Sequence, residues 1–269
     1  MATALAAAGR LPLLSAGTGG GSSIDASTGP GALKPIRDHL KRFSPVNPPT
    51  RKRGQYSLTY DILHWSWVAG TRDTFANSIV GQVTIKCKAA NTRVFYEISQ
   101  QMRIGGVDNS IEARIICNTD NYNSLRKWTL RSGHTTAKGE LEPLSELAEN
   151  GRCNNGQIQI KSGNYEYGFS AKNPVVAQWT VPDFLLRKAN PALNATFDLL
   201  QDLSLFKPNQ SLSYEGLTPV KLRDGKTVKL QTYAQTGQGV LPIHYLLDDQ
   251  RRPQLITSSI LSWALSGQS

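Results

Sequence analysis

The stretch GVLPIHYLLDDQRRPQLIT, residues 239–257, decides how the chain is read. It places His244, Asp248, Asp249, Arg251 and Arg252 within nine positions, which is either a catalytic cluster or the bend between two strands. Before the bend, Leu241, Ile243, Tyr245 and Leu247 alternate with Val240, Pro242, His244 and Leu246; after it, Leu255 and Thr257 alternate with Gln254 and Ile256. A period near two marks β-strands rather than helix. Between the runs, DDQRRP combines turn-forming aspartate with charged residues, and Pro253 removes one ladder donor near a strand entry. The stretch is therefore expected to be a hairpin with the Asp/Arg cluster in water at its tip. Ion pairs there would add only ~0–1 kcal/mol. The competing reading makes His244 an acid or base, although one histidine near a carboxylate is a common and unspecific arrangement.

Working outward, the same alternation recurs from Gly54 onward. QYSLTYDILHWSWVAG, SIVGQVTIKCK, TRVFYEISQQMRI, SIEARIICN and NSLRKWTLRSG follow one another across short turns. Connections this short force antiparallel neighbours, because a parallel crossover needs a dozen or more residues. GQIQIKSGNYEYGFS, VVAQWTV, SLSYEGLTPVKLRDGKTVKLQTYAQTG and the final hairpin continue the series. The expected fold is mainly β: one large curved antiparallel sheet, an incomplete barrel of about ten strands. EPLSELAEN from Glu142 suits a helical turn or two, and VPDFLLRKANPALNATFDLLQDLSLF from Val181 suits two short helices. Pro182 and Pro191 would sit in their first turns, where a missing N–H is tolerated. Phe184, Leu185, Phe197, Leu200 and Leu203 would form an apolar stripe covering the concave face of the sheet, which has no other layer to bury it.

The chain of 269 residues is 39% hydrophobic, enough for a sizeable core. Its net charge of +10 is unevenly spread: residues 1–53 hold eight Lys/Arg against two Asp. The remaining part, residues 54–269, reads as one β domain that is only mildly basic. Residues 1–53 read as an export-signal remnant followed by a disordered basic linker. MATALAAAGRLPLLSAGTGGGSS resembles the portion of a bacterial twin-arginine signal that follows the arginine pair, with Arg10 interrupting the apolar run. LKPIRDHLKRF, from Leu33, is short enough for one helix and is expected to be a solvated basic piece of the linker. No segment has the ~18–20 apolar residues of a membrane span.

Few residues suggest chemistry. The histidines at 39, 64, 134 and 244 lack metal-ligand spacing, and no cofactor motif is present. Cys87 and Cys117 are expected at the same end of two strands flanking a third, ~9–10 Å apart, too far for a disulfide. Cys153 precedes another strand and is open to pairing with either. Glu97, Glu112 and Glu166 lie on strands; they could supply a carboxylate pair for glycoside hydrolysis or simply form solvated faces beside Lys and Arg. Trp65 and Trp67 share a strand face, as an aromatic pair at the mouth of a curved sheet would, and with Trp179 and Phe184 they are the candidate ligand contacts.

The meander from YSLTYDILHWSWVAGT through GQVTIKCK and YEISQQMRI, the helical interruption and the terminal LPIHYLLDDQRRPQLIT hairpin resemble uncharacterised secreted bacterial β proteins. Those are similar in architecture to the periplasmic lipoprotein carriers, whose curved half-barrel holds acyl chains in an apolar cavity. The resemblance implies a periplasmic or secreted, non-enzymatic protein that binds an apolar or lipid-like molecule or acts as an envelope scaffold. No cofactor and no nucleic-acid partner are expected on that reading. One alternative is an enzyme acting on envelope polysaccharides; another is a binder of anionic surfaces or nucleic acid through residues 34–53.

Overall fold

In the computed structural model the described residues are 33, 36–46, 54–67, 75–136, 139–222, 224–258 and 261–268. Eight strands follow the N-terminal segment in strict succession: β1 (Gln55–Trp67), β2 (Phe75–Ala89), β3 (Val94–Ile104), β4 (Val107–Cys117), β5 (Leu125–His134), β6 (Leu147–Asn154), β7 (Gln157–Ser162) and β8 (Tyr165–Ser170). Then come β9 (Val175–Ala177), a helix α2 (Val181–Lys188), β10 (Asn194–Gln201), β11 (Leu205–Lys221), β12 (Thr227–Thr236), β13 (Ile243–Leu247), β14 (Pro253–Thr257) and β15 (Leu261–Gln268). A single turn of helix, α1 (Arg37–Leu40), precedes them all. The strands form one sheet in the order β8-β7-β6-β5-β4-β3-β2-β1-β15-β14-β13-β12-β11-β10-β9.

The sheet has 15 strands, not about ten. The difference comes from runs that hold two strands each (β7 with β8, β11 with β12, β14 with β15) and from β6 and β10, which read as helical. Asn155 and Gly156 both have positive φ between β6 and β7, as do Gly105 and Gly106 between β3 and β4. Two consecutive left-handed residues make the turn whose twist matches antiparallel strands. The sheet is also not wholly antiparallel: β9 and β10 pair in parallel. Residues 178–193, which carry α2, supply the long crossover that this requires.

Two helical expectations change. NATFDLLQ is strand β10, not a second helix, and Pro191 lies in the turn before it. Phe197, Leu199 and Leu200 are all buried because β10 is covered on both faces, and such a strand reads as a continuous apolar run that periodicity cannot separate from helix. Near Glu142, Pro143–Ser145 makes one 3-10 turn and β6 begins at Leu147.

The roll of the sheet follows from one connection. β8 and β9 stand at opposite edges, yet residues 171–174 alone join them. Five residue steps reach at most ~18 Å, whereas fourteen flat inter-strand spacings would separate those edges by about 67 Å. The sheet must curl until its edges nearly meet. Asp198 on β10 anchors the joining loop, accepting bonds from the backbone N–H groups of Lys172 (2.9 Å), Asn173 (3.0 Å) and Asn209 (2.8 Å) and from Asn173 Nδ2 (3.0 Å).

Alternate residues of the strands meet inside the roll in one core that includes Tyr60, Ile85, Ile98, Ile115, Trp128 and Tyr245, with Trp179 and Leu185 from the crossover among them. Gly151 is required there. A Cβ at this position would lie 2.0 Å from carbons of the Trp128 ring, which lies across the strand.

A second, smaller core lies on the outer face. Ile36, Leu40 and Phe43 from the N-terminal segment cover Leu63, Leu246, Leu255 and Ala264. LKPIRDHLKRF is therefore not a solvated piece of linker in its described part. Burying each such apolar side chain contributes ~1.5–3 kcal/mol, and Arg37, Lys41 and Arg42 stay on the water side, where Lys41 pairs with Asp38. The expected export signal falls on residues outside the described set, as does the basic run at 51–53.

Two measurements check this account. Gly151→Ala should lower stability by ~1–3 kcal/mol through overpacking against Trp128, read as a fall in Tm. Burial acts to raise the pKa of Asp198, but the four donors outweigh it and hold the carboxyl below its usual 3.8. A lowered carboxyl contributes stability above the ordinary pKa and loses it as pH falls through the lowered value. Asp198→Asn should therefore be less stable than the parent in urea at neutral pH, with the gap narrowing below about pH 4.

Candidate functional site

The opening hairpin is a hairpin, but its charged cluster divides. β13 and β14 pair antiparallel, and Asp249, Gln250 and Arg251 lie exposed at the tip, with Arg251 in the left-handed region. Asp248 and Arg252 do not: they are 8% and 4% exposed. Arg252 Nε donates to Asp248 Oδ2 at 2.6 Å, its backbone N–H donates to Oδ1 at 2.9 Å, and Gln254 Nε2 donates to Oδ2 at 2.7 Å. Gln254 also accepts from the backbone N–H of Val46 (3.0 Å) and donates to its carbonyl (3.1 Å). The expectation of a wholly solvated cluster fails because the N-terminal segment crosses over it and excludes water. His244 takes no part: its Nε2 lies 3.6 Å from Glu215 Oε2. The arrangement ties down the arm and has no reacting group.

The cluster with functional potential lies inside the roll, at the end of the sheet where β1 and β3 begin. Tyr56, Cys87 and Tyr96 are cross-strand neighbours in one row of β1, β2 and β3, so their side chains share the inner face. Cys117, at the end of β4, pairs with Val94 one step away. Above this row lies α2, whose Pro182 occupies its first turn and whose Asp183 and Arg187 are one turn apart. Asp183 is 1% exposed. It accepts from Tyr56 Oη, from Tyr96 Oη at 2.6 Å, from Asn123 Nδ2 at 3.1 Å and from Arg187 Nε at 2.8 Å. Asn123 Nδ2 also reaches Tyr96 Oη at 2.7 Å. Asn123 holds a left-handed backbone conformation in the β4–β5 loop, which asparagine tolerates better than most residues. Its neighbour Tyr122 stacks on Phe184 of α2, with centroids 5.5 Å apart.

Burial first, and the Asp183 charge second, raise Tyr56 and Tyr96 well above the usual phenol range, so both remain donors. The same two causes push the Cys87 thiol up to about 12. Cys117 rises for the same reasons, and Cys153 rises by burial. Thiols in this state are poor nucleophiles. All three cysteines are free thiols in the structure. Four donors meet the carboxylate, Tyr56 at Oδ1 and Tyr96, Asn123 and Arg187 at Oδ2. Chemically the constellation is a latch that holds α2 against two strands and a loop. Removing the charge at Asp183 weakens every one of those bonds, and an amide in its place offers one accepting oxygen where the carboxylate offers two.

Other sequence candidates fall elsewhere. Trp179 is fully buried and Phe184 is 5% exposed, so both are packed under the latch rather than open to solvent. Trp65 is half-buried on β1, and the side chain of Trp67 lies outside the described residues. Glu97 and Glu112 are exposed on the outer face, and they line one shallow trough with Lys86, Arg114 and Arg131. Glu97 stands opposite Lys86 and Arg114, and Glu112 opposite Arg131. This is an alternation of charges across strands. Glu166 lies in a different trough. Among the described residues there is no group of three His, Cys, Asp or Glu side chains placed to hold a metal, and no helix long and apolar enough to cross a membrane. The latch itself was not read from the sequence. Its one local sign is Asp183 and Arg187 spaced one turn apart within the apolar run VPDFLLRK.

No protein-family model and no curated protein matches the chain. A DUF1089 family protein of known crystal structure, from Pseudomonas aeruginosa, is similar over 70% of this chain and 93% of its own, with 11% identity and a TM-score of 0.37. A likeness at that level carries no argument about function.

The divided hairpin cluster is testable by pairwise truncation. Asp248→Ala should cost ~3–5 kcal/mol because it removes the carboxylate that offsets a buried guanidinium, whereas Asp249→Ala should stay within ~0.5 kcal/mol; urea unfolding of the two variants decides it.

Proposed function

We propose that this is an exported, non-enzymatic β protein that holds an apolar, lipid-like molecule against the inner wall of its rolled sheet, with α2 as the plug that the ligand displaces. The observation that carries the reading is the contrast between the wall and the plug's fastening. The inner wall is built from apolar side chains contributed along the whole sheet, while the crossover helix inside it is fastened through one buried carboxylate. Apolar walls with a few fixed polar groups are what an acyl chain needs. A helix that shields such a wall exchanges its own Val181, Phe184 and Leu185 contacts for those of the ligand, so opening need not leave apolar surface in water. The architecture resembles the periplasmic lipoprotein carriers in this respect, and the Gly/Ser/Pro-rich leader supports export. Trp179, packed at the base of α2, is the aromatic ligand contact on this reading; Phe184 travels with the plug.

The cysteines report the plug's position. In the free protein Cys87 and Cys117 should react with a maleimide far more slowly than half-buried Cys153. Saturating palmitate or lysophospholipid should speed labelling of Cys87 and Cys117 without a comparable change at Cys153, and Asp183→Asn should do so without lipid. Unchanged labelling of Cys87 and Cys117 at saturating lipid, together with no lipid detected by native mass spectrometry, would overturn the proposal.

A further inference from the structure

A second trough of about 960 Å³ lies on the outer face across β5, β6, β7 and β8. Its charge is unlike that of the neighbouring trough across β2 to β6, in which Lys86, Arg114 and Arg131 face Glu97 and Glu112, and Arg131 also pairs with Glu146 at 2.7 Å. Arg126, Lys127, Arg152 and Lys161 line the second trough with Glu166 as the one carboxylate. Glu166 stands at the edge strand, 4.0 Å from Lys161.

Register makes the imbalance costly. Lys127 and Arg152 are direct cross-strand partners, with Arg126 at an irregularity in the β5 pairing beside them. Like charges directly opposite one another destabilise a sheet. Among the described residues no carboxylate lies within ion-pair distance of Arg126, Lys127 or Arg152; Arg152 Nε donates to the amide oxygen of Gln159 at 2.7 Å. That bond orients the guanidinium over the trough and leaves its terminal nitrogens for another acceptor. Asn150, Asn154, Gln157 and Gln159 add polar lining, and Tyr167 stands on the edge strand with its hydroxyl turned to buried Glu149. Amide side chains both donate and accept, which matches sugar hydroxyls. The trough crosses three inter-strand spacings, about 14 Å, so it accommodates a chain rather than a single ion. Its floor consists of Gly168, Ser170 and strand backbone, while the Phe169 ring packs inside against Phe206. Nucleic-acid bases would find no stacking platform on that floor.

We infer that this trough binds a linear anionic polysaccharide, with Arg126, Lys127 and Arg152 meeting its carboxylates and the amides meeting its hydroxyls. The site is separate from the interior latch and does not depend on lipid binding.

The test uses the full chain with polygalacturonate as probe, its methyl-esterified neutral form as control, and single-stranded DNA of similar length as rival. Calorimetric titration at low salt should show binding of polygalacturonate, weaker or absent binding of the ester, and weaker binding of DNA. The double variant Lys127→Gln/Arg152→Gln should bind polygalacturonate about tenfold more weakly, the loss expected for two exposed ion pairs. It should also melt at a higher temperature, because the like-charged pair is gone. Lys86→Gln/Arg114→Gln makes the same change in net charge in the balanced trough and should leave binding near the parent value. Equal losses in the two double variants would reduce the effect to bulk charge and overturn the site. Equal binding of the neutral ester, tighter binding of DNA, or no binding of polygalacturonate would overturn it as well.

Discussion

The four-residue connection between β8 and β9 is the constraint on which the rest depends. It joins the two outermost strands of a 15-stranded sheet, so the sheet cannot lie flat. Once rolled, alternate side chains of every strand point into one enclosed space, and the crossover that pairs β9 with β10 in parallel has to pass through that space. The helix in the interior is therefore a consequence of the connection as well as a filler of the core.

Three buried aspartates then fasten the segments that do not belong to the sheet. Asp198 holds the loop between the edges, Asp183 holds α2 inside, and Asp248, through Gln254, holds the N-terminal segment outside. A buried carboxylate without partners would be prohibitive, and each of the three is met by several donors. Hydrogen bonds of this kind impose position, which the surrounding apolar contacts do not, since burial is non-directional. The proposed reading of α2 as a plug takes this fastening to be separable from the apolar contacts around it.

The two faces of the sheet divide the remaining roles. The inner face is apolar and occupied. On the outer face, β12–β15 and β1 lie under the N-terminal segment, while β2–β8 carry charge. Within that charged half, the balanced alternation around Glu97 and Glu112 differs from the uncompensated cations around Lys127 and Arg152. Composition sees neither distinction, because net charge sums over residues whose neighbours only the register defines.

The mainly β character, the succession of hairpins and the terminal bend were legible in the sequence, because side-chain alternation and turn residues act over a few positions and need no distant partner. The Asn155–Gly156 turn was legible as well, and reading it would have added β6 to the strand count. Strand β10 was not, since a strand buried on both faces loses its alternation. Tertiary structure alone decided that Asp248 and Arg252 are buried while Asp249 and Arg251 are wet, and that Tyr56, Tyr96 and Asn123 converge on Asp183. Those outcomes depend on which segments come to lie over which strands, and that is set by closure of the sheet across more than a hundred residues of chain.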